Sequence, residues 1–218
     1  MLEWIPALRA KSKLSILCLG AHSDDIEIGC GGTILRLLRT YKTCDVTWVV
    51  ISAMAKRRHE ARSSAKRFLA DAHRTIVITR GFKESNFPYR GEKIKSFFEQ
   101  LKTRCNPDLI FTHYRHDLHQ DHRVICELTW NTFRRHQIFE YEIPKYDGDF
   151  GQPNVYIPLT QTLCDKKVKY LMDGFSTQRN RQWFTEDTFY SLLRLRGIES
   201  NAPEKYAEAF YSRKIILG

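Results

Sequence analysis

Strand patterns and helix patterns alternate along the chain from Leu14 to about Glu142. This order is typical of a mostly parallel sheet with helices packed on its faces, so the sequence predicts an α/β fold. The strand patterns cover Leu14 to Leu19, Val46 to Ile51, Thr75 to Ile78 and Leu109 to Thr112. The helix patterns cover Gly31 to Leu38, Lys56 to about Ala72, and Gly91 to Lys102.

The segment after Glu142 has a different pattern, because prolines and glycines divide it into turns and short extended pieces. Helical patterns return at Asp165 to Met172 and at Glu186 to Leu195. Neither a linker-like stretch nor an internal repeat marks a boundary. We therefore expect one domain over residues 1–218, with a core from about 13 to 142 and a C-terminal cap from about 143 to 218.

The cysteines and the apolar runs bear on the compartment. Six cysteines are scattered singly without a Cys-x-x-Cys pair, which predicts free thiols in a reducing compartment. Residues Met1 to Leu14 lack the continuous apolar core of a secretory signal. No apolar run approaches the roughly 20 residues of a membrane-spanning helix. We expect a cytoplasmic protein without a transmembrane segment, and the sequence leaves its oligomeric state open, a homo-oligomer included.

The formal net charge of +10 is spread along the chain, which is typical of a basic solvated surface. It also fits an anionic partner such as a phosphorylated sugar, a nucleotide, a membrane surface or a nucleic acid. Aromatic residues near basic ones, such as Tyr114, Trp130 and Phe133, would suit nucleic acid. They fit core positions equally well and no nucleic-acid-binding module is present, so we expect no nucleic-acid partner.

Two loops concentrate histidines and carboxylates, and both follow predicted strands. Ligands of open α/β sheets gather at the carboxyl ends of the strands. The loop after Leu19 reads Ala-His-Ser-Asp-Asp-Ile-Glu over residues 21–27. The loop after Thr112 reads His-Tyr-Arg-His-Asp-Leu-His-Gln-Asp-His over residues 113–122. Two such clusters at one sheet edge predict a metal site.

Catalytic zinc takes three protein ligands of the imidazole and carboxylate types and keeps a fourth position open. His22 and Asp25 can bind one ion from a tight loop. His119 and His122, three residues apart at a predicted helix start, lie on one side of that helix, so one can bind metal while the other faces the substrate. Zinc suits this mixed nitrogen and oxygen set, although iron, cobalt or manganese could occupy it.

The remaining polar residues of these loops suggest acid and base chemistry. Asp24, next to the ligand Asp25, is the free carboxylate and hence the candidate general base. His119 is the candidate imidazolium that stabilises the oxyanion and protonates the departing amine. Asp121 could hold the His119 ring and raise its pKa.

Gly29, Gly31 and Gly32 follow the first cluster but miss the G-x-G-x-x-G spacing of a dinucleotide-binding loop. We therefore interpret them as a tight turn that passes close to the site.

The two loops strongly resemble the two motifs of the LmbE-like, or PIG-L, deacetylase family. The family's first motif is Ala-His-Pro-Asp-Asp, and here it appears as Ala21-His22-Ser23-Asp24-Asp25, with serine in place of proline. Its second motif is Asp-x-His-x-Asp-His, which appears here as Asp117-Leu118-His119-Gln120-Asp121-His122. Weaker similarity continues through Arg57-Arg58-His59-Glu60 and into the C-terminal segment.

The resemblance implies a Rossmann-like three-layer α/β sandwich and a zinc-dependent N-deacetylase. It places the metal ligands on His22, Asp25 and His122, the general base on Asp24 and the transition-state histidine on His119. It also makes Arg57 a candidate for binding substrate oxygens. The implied substrate is an N-acetylglucosamine unit carried on an inositol lipid, a thiol precursor, an antibiotic or an activated sugar. We expect the loops from Lys145 to Pro158 to select the carrier.

Three alternatives stay open at this point. The same metal could serve the hydrolysis of another amide or an ester. The basic charge could serve nucleic-acid binding. The chain could also be a degenerate family member that binds a sugar without cleaving it, although a binding protein would have no need for the base Asp24.

Overall fold

Seven strands form one continuous sheet in the computed structural model, which describes residues 13–216. The strands are β1 Leu14–Gly20, β2 Cys44–Val50, β3 Arg74–Thr79, β4 Leu109–His113, β5 Gln137–Tyr141, β6 Val155–Leu159 and β7 Tyr206–Tyr211. The helices are α1 Asp25–Thr40, α2 Ala55–Phe68, α3 Gly91–Arg104, α4 Gln120–Thr132, α5 Gln161–Gly174 and α6 Glu186–Glu199, with a 3₁₀ turn at Phe87–Arg90.

The strand order is β3-β2-β1-β4-β5-β7-β6. The five strands from β3 to β5 in this order pair in parallel, while β7 pairs antiparallel with both β5 and β6. This architecture confirms the predicted α/β fold with a mostly parallel sheet. The chain order reverses between β1 and β4, which makes the carboxyl ends of these two strands the switch point where α/β proteins bind ligands.

The side chains of β1 alternate between two hydrophobic cores, as the period of a strand requires. Ile16 and Cys18 pack in a core with residues of α1, α2, α5 and α6. Leu17 and Leu19 pack on the opposite face with residues of α3 and α4. The sheet is therefore covered on both faces, and the three-layer arrangement is confirmed.

The glycine segment is helical, and its interpretation as a tight turn was wrong. α1 begins at Asp25, six residues before the predicted start at Gly31. A Cβ at Gly29 would lie 2.1 Å from the ring of Tyr141, and one at Gly32 would lie 2.5 Å from Leu159 Cδ1. The glycines are needed because β-strand side chains pack directly against the helix backbone.

The C-terminal segment does more than cover the core, because β6 and β7 extend the sheet. A buried ion pair attaches it to α1. Lys167 Nζ lies 2.6 Å from Glu208 Oε1 and donates to the carbonyl oxygen of Ile28 at 2.6 Å. The Glu208 carboxylate in turn accepts from the backbone N–H groups of Gly32 and Thr33. The division into a core and a cap stays a prediction.

All six cysteines are free, as predicted. Within residues 13–216, no helix combines the length and apolar character needed to cross a bilayer. The segment on which the prediction about a secretory signal rests lies, up to residue 12, outside the described residues.

Candidate metal centre and active site

The loops that follow β1 and β4 come together because these strands are neighbours in the sheet. Their side chains form one buried cluster at the carboxyl edge. Every residue that the sequence suggested for the site lies in or beside this cluster: His22, Asp24, Asp25, Arg57, His119, Asp121 and His122.

Three donor groups converge at its centre. His22 Nδ1 lies 3.2 Å from His122 Nε2 and 3.5 Å from Asp25 Oδ2, and His122 Nε2 lies 3.6 Å from Asp25 Oδ1. Nitrogen ligands about 2.0–2.1 Å from a tetrahedral zinc ion lie about 3.3 Å apart. The observed spacing and the mixed donor set therefore fit a small divalent cation.

Two carboxylates orient the histidine rings. Asp121 Oδ2 lies 3.2 Å from His22 Nε2, and Asp117 Oδ2 lies 2.9 Å from His122 Nδ1. Since each carboxylate accepts a proton-bearing nitrogen, the opposite nitrogen of each ring is left as a lone-pair donor. Carboxylates commonly fix metal-binding histidines in this way. The two lone-pair nitrogens are the pair that lies 3.2 Å apart.

Two neighbouring histidines extend the cluster. Groups in which all donor atoms lie within 4.8 Å of one another are formed by His119 with His22 and His122, and by His113 with Asp25 and His122. The assignment to His22, Asp25 and His122 stays a prediction. The orientation of both rings by carboxylates supports it.

His113 and Asp117 lie in the same cluster, although no role was predicted for either of them. His113 Nε2 accepts the backbone N–H of Ala21 at 2.9 Å and lies 3.2 Å from Asp25 Oδ2. Its ring stacks on that of His122, with centroids 3.9 Å apart. The available signal was their place in the second loop, where His113 ends β4 and Asp117 precedes His122 by five residues.

The carboxylate of Asp117 contacts two groups besides the buried ring of His122. Its Oδ1 accepts the backbone N–H of His119 at 2.8 Å, and Lys145 Nζ lies 3.1 Å from its Oδ2. Burial raises the pKa of Asp117, but His122 and Lys145 outweigh burial and hold the pKa well below its usual range. Asp117 is therefore ionised, so both of its oxygens act as acceptors.

Asp24 is buried and pairs with Arg57. Arg57 Nη2 lies 3.0 Å from Asp24 Oδ1, and its Nη1 lies 2.7 Å from Glu84 Oε2. Burial raises the pKa of Asp24 to about 6 against the opposing charge of Arg57. A carboxylate of this kind can take up and release a proton near neutral pH.

The contacts of Asp121 differ from the expected ones. Its carboxylate accepts from His22 and from the backbone N–H groups of Ser85 and Phe87, at 2.6 and 3.1 Å. His119 instead caps α4, where its Nδ1 accepts the backbone N–H of Asp121 at 3.2 Å. Burial and the nearby His22 lower the pKa of His119. The ring is thus neutral with its proton on Nε2, and the imidazolium predicted from the sequence is not what the surroundings of His119 favour.

The surroundings of His22 favour positive charge. Burial lowers the pKa of His22, but the carboxylates of Asp25 and Asp121 outweigh it and raise the pKa to about 10. His122 behaves oppositely, because burial and the charge of His113 lower its pKa to about 3. Asp25 is held ionised: burial raises its pKa, but the three histidines around it lower the pKa well below the usual value. The carboxylates that raise the pKa of His22 would equally stabilise a metal cation at its Nδ1 in place of the proton.

The sheet is mostly parallel, helices cover both of its faces, and histidines and aspartates converge at its switch point. These features place the protein among the α/β proteins that bind a ligand or a metal at the strand ends. The sequence profile of the PIG-L family, described as GlcNAc-PI de-N-acetylase, matches residues 17–133. That match includes both loops of the cluster and more than half of the chain. The protein belongs to the PIG-L family.

Relatives and solved structures agree with this assignment. The chain is 28% identical over 151 residues to the uncharacterized deacetylase YaiS of Escherichia coli K12, which covers 62% of this chain and 77% of YaiS. The N,N'-diacetylchitobiose deacetylase of Pyrococcus horikoshii superimposes with a TM-score of 0.67 at 19% identity, over 91% of this chain and 83% of the other. GalB, the 4-carboxy-2-hydroxymuconate hydratase of Pseudomonas putida KT2440, superimposes with a TM-score of 0.74 at 16% identity, over 94% of this chain and 98% of GalB. The two structures share the fold and differ in the reactions named for them.

Proposed function

We propose that this protein is a metal-dependent deacetylase that hydrolyses the N-acetyl group of an amino sugar and releases acetate and a free amine. The observation that carries the proposal is the convergence of His22 Nδ1, His122 Nε2 and the Asp25 carboxylate beside a separate buried carboxylate, Asp24. Three ligands and an adjacent base are what hydrolysis of an unactivated amide at a metal requires. The deacetylase named among the fold relatives and the family description support the choice of an N-acetyl sugar.

The bound ion, which we propose to be zinc, supplies Lewis acidity toward the amide carbonyl. Asp24 is the residue that accepts a proton from the attacking water, since Asp25 is committed to the ion. Arg57 Nη2 holds the Asp24 carboxylate by the contact at 3.0 Å. When the C–N bond breaks, protonated Asp24 gives its proton to the leaving amine.

His119 stabilises the developing oxyanion by donating a hydrogen bond. Because Nδ1 of His119 accepts the backbone N–H of Asp121, the proton of the neutral ring lies on Nε2. The His119 ring lies beside the two predicted histidine ligands, with centroids 4.9 Å from His22 and 4.5 Å from His122. A preorganised neutral donor in a buried site serves an oxyanion without a change in protonation.

Arg57 has a second capacity besides holding Asp24. Its Nε is buried and has no hydrogen-bond partner among residues 13–216. The side chain as a whole is 23% exposed, so another part of the guanidinium can reach a substrate oxygen, in keeping with the substrate-binding role that the family resemblance gives Arg57.

The test measures acetate release by zinc-loaded and chelator-stripped protein from free, nucleotide-linked, lipid-linked and glycosidic N-acetylhexosamines. We expect release from one class only, abolished by chelation and restored by zinc. The Asp25→Ala variant should lose both metal and activity, whereas His59→Ala, a change on the exposed part of α2, should keep both. If protein that holds one zinc per chain released no acetate from any of these substrates, the proposal would be contradicted. O-acetyl and other amide substrates would then be tested.

A further inference from the structure

The segment that follows β5 returns to the metal centre. Its residues 145–149, which we name the 145–149 loop, contact the second ligand-rich loop at two points. Lys145 Nζ lies 3.1 Å from Asp117 Oδ2. The backbone N–H of Leu118 donates to Asp149 Oδ2 at 2.6 Å. The 145–149 loop is therefore attached to the stretch of chain that leads to the proposed ligand His122.

Lys145 lies between two carboxylates. Besides Asp117, its Nζ contacts Asp149, with a distance of 2.6 Å to Oδ1. The side chains of Lys145, Asp117 and Asp149 are only 9%, 2% and 6% exposed. A buried charge is stable only when it is paired. Because one ammonium group serves two carboxylates, its removal would leave two buried negative charges close together.

One oxygen of Asp117 is shared between Lys145 and His122. Asp117 Oδ2 lies 2.9 Å from His122 Nδ1 and 3.1 Å from Lys145 Nζ. A carboxylate that accepts from a metal-binding histidine fixes the orientation of the ring, and the other contacts of that carboxylate fix the carboxylate itself. Lys145 therefore acts on His122 through Asp117.

The same ammonium group closes the 145–149 loop. Lys145 and Asp149 form an ion pair across a turn in which Gly148 has a φ of +62°. Tyr146, inside this turn, is 67% exposed, and Phe150, which follows it, is 46% exposed. Aromatic side chains are enriched where proteins bind other molecules. Two of them thus face solvent on a segment that is anchored to the metal centre.

We propose that Lys145 is a positioning residue that joins the 145–149 loop to the metal centre. It holds the loop through Asp149 and the ring of His122 through Asp117, so the position of the loop and the binding of the metal depend on each other. By thermodynamic linkage, a bound ion stabilises the attached loop as much as the attached loop stabilises the ion. This inference rests on the proposed function, and it adds the residue that connects a substrate-facing loop to the proposed ligand.

The affinity for zinc, measured by competition with a chromophoric chelator, tests the connection to the metal. We expect Lys145→Met to weaken zinc binding about tenfold, because Asp117 loses the partner that fixes it. Lys145→Arg, which retains the charge, should restore most of the affinity. The matched control is Lys169→Met, which breaks an exposed i,i+4 pair with Asp173 and should bind zinc as the wild type does.

A double variant keeps the test decisive if Lys145→Met fails to fold. Lys145→Met combined with Asp149→Asn removes one positive and one negative charge, so the buried group keeps its net charge. We expect this variant to melt close to the wild type and still to bind zinc about tenfold more weakly. A zinc affinity equal to that of the wild type in the folded double variant would overturn the proposal.

Hydrogen exchange at the Leu118 amide, followed by NMR, tests the connection to the loop, since this amide donates to Asp149. Adding zinc to the metal-stripped wild type should slow the exchange, and it should slow it much less in Lys145→Met. A lysine that only stabilised the fold would lower the melting temperature without changing this response. The proposal is overturned if zinc slows the exchange of Leu118 equally in both proteins.

Acetate release separates this proposal from the proposed function. At saturating zinc, Lys145→Met should raise KM for the acetylated substrate about tenfold and change kcat less, since the loop is no longer preorganised. If zinc affinity and Leu118 exchange respond as expected but no N-acetyl sugar is cleaved, the proposed function fails and the role of Lys145 stands. If acetate is released while Lys145→Met keeps the zinc affinity and KM of the wild type, the role of Lys145 is overturned and the proposed function stands.

Discussion

Asp121 Oδ2 lies 3.2 Å from His22 Nε2, on the side of the ring that faces away from His122. The same carboxylate accepts the backbone N–H groups of Ser85 and Phe87, so its own position is fixed by the chain that leads into the 3₁₀ turn. This contact determines which nitrogen of His22 points at the centre. Asp117 does the same for His122. The second loop therefore supplies His122, a proposed ligand, and the two carboxylates that orient the rings of both histidines.

Replacing Asp121 with Ala should lower the affinity for zinc about 10- to 100-fold, because the ring of His22 loses its orientation and its acceptor. Competition with a chromophoric chelator measures the affinity. Asp121→Asn should have a smaller effect, because the side-chain oxygen of Asn can still accept from His22. The NH₂ group of Asn would face one of the backbone N–H donors of Ser85 and Phe87, so some of the effect should remain. Glu127→Gln, an exposed change on the same helix, is the matched control and should leave the affinity unchanged. If Asp121→Ala bound zinc as tightly as the wild type does, Asp121 would have no part in orienting the proposed ligand His22.

Replacing Asp24 with Asn should reduce kcat at least about a hundredfold, because a carboxamide cannot accept a proton from water. Metal content should stay at the wild-type value, since Asp24 is not a proposed ligand. The pair of readouts distinguishes the base from the ligand, because Asp25→Asn should lose metal and activity together. Wild-type turnover in Asp24→Asn would show that another group accepts the proton.

The sequence was sufficient for the sheet and for the position of the site. Apolar runs as continuous as that of β1 suit strands buried on both faces, and the two loops rich in metal-ligand residues follow β1 and β4, which the sheet places side by side. Local spacing also suggested His22 and Asp25 as partners. These features depend on short stretches of chain and on the general geometry of parallel sheets.

The sequence was insufficient wherever a side chain had a choice of distant partners. Asp121 was expected to hold His119, two residues away, but the Ser85 and Phe87 segment directs its carboxylate toward His22. Gly29 was interpreted as part of a turn because its contact with Tyr141 joins positions more than a hundred residues apart.

Glu60 should make stability depend on pH at the acid end. Burial raises the pKa of its carboxyl group, but hydrogen bonds from Thr177 and Ser176 outweigh burial and lower the pKa. A lowered pKa stabilises the fold above the unfolded-state pKa, near the ordinary value of 4.5, and the contribution disappears as pH falls through the folded-state pKa. Glu60→Gln should cost about 1 to 3 kcal/mol at pH 7.

Urea unfolding at pH 7 and at pH 4 or below checks this dependence. The difference between wild type and Glu60→Gln should shrink as the pH falls, while Glu127→Gln, which removes an exposed carboxylate, should track wild type. A difference that stays constant over this range would show that the carboxylate charge plays no part in holding the segment at Thr177.

Gly29→Ala should destabilise the fold although alanine is the better helix former by about 1 kcal/mol. The new Cβ would lie 2.1 Å from the Tyr141 ring, and that ring cannot withdraw easily because its hydroxyl donates to the carbonyl oxygen of Leu19 at 2.7 Å. Overpacking of this kind costs about 1 to 3 kcal/mol or more.

Gly91 is the matched control. It begins α3 with a helical φ of −49°, and nothing lies within 4 Å of a Cβ built there. Gly91→Ala should stabilise by about 0.4 to 1 kcal/mol. Opposite shifts in the urea midpoint are expected, and a stabilised Gly29→Ala would show that β5 can move away from α1.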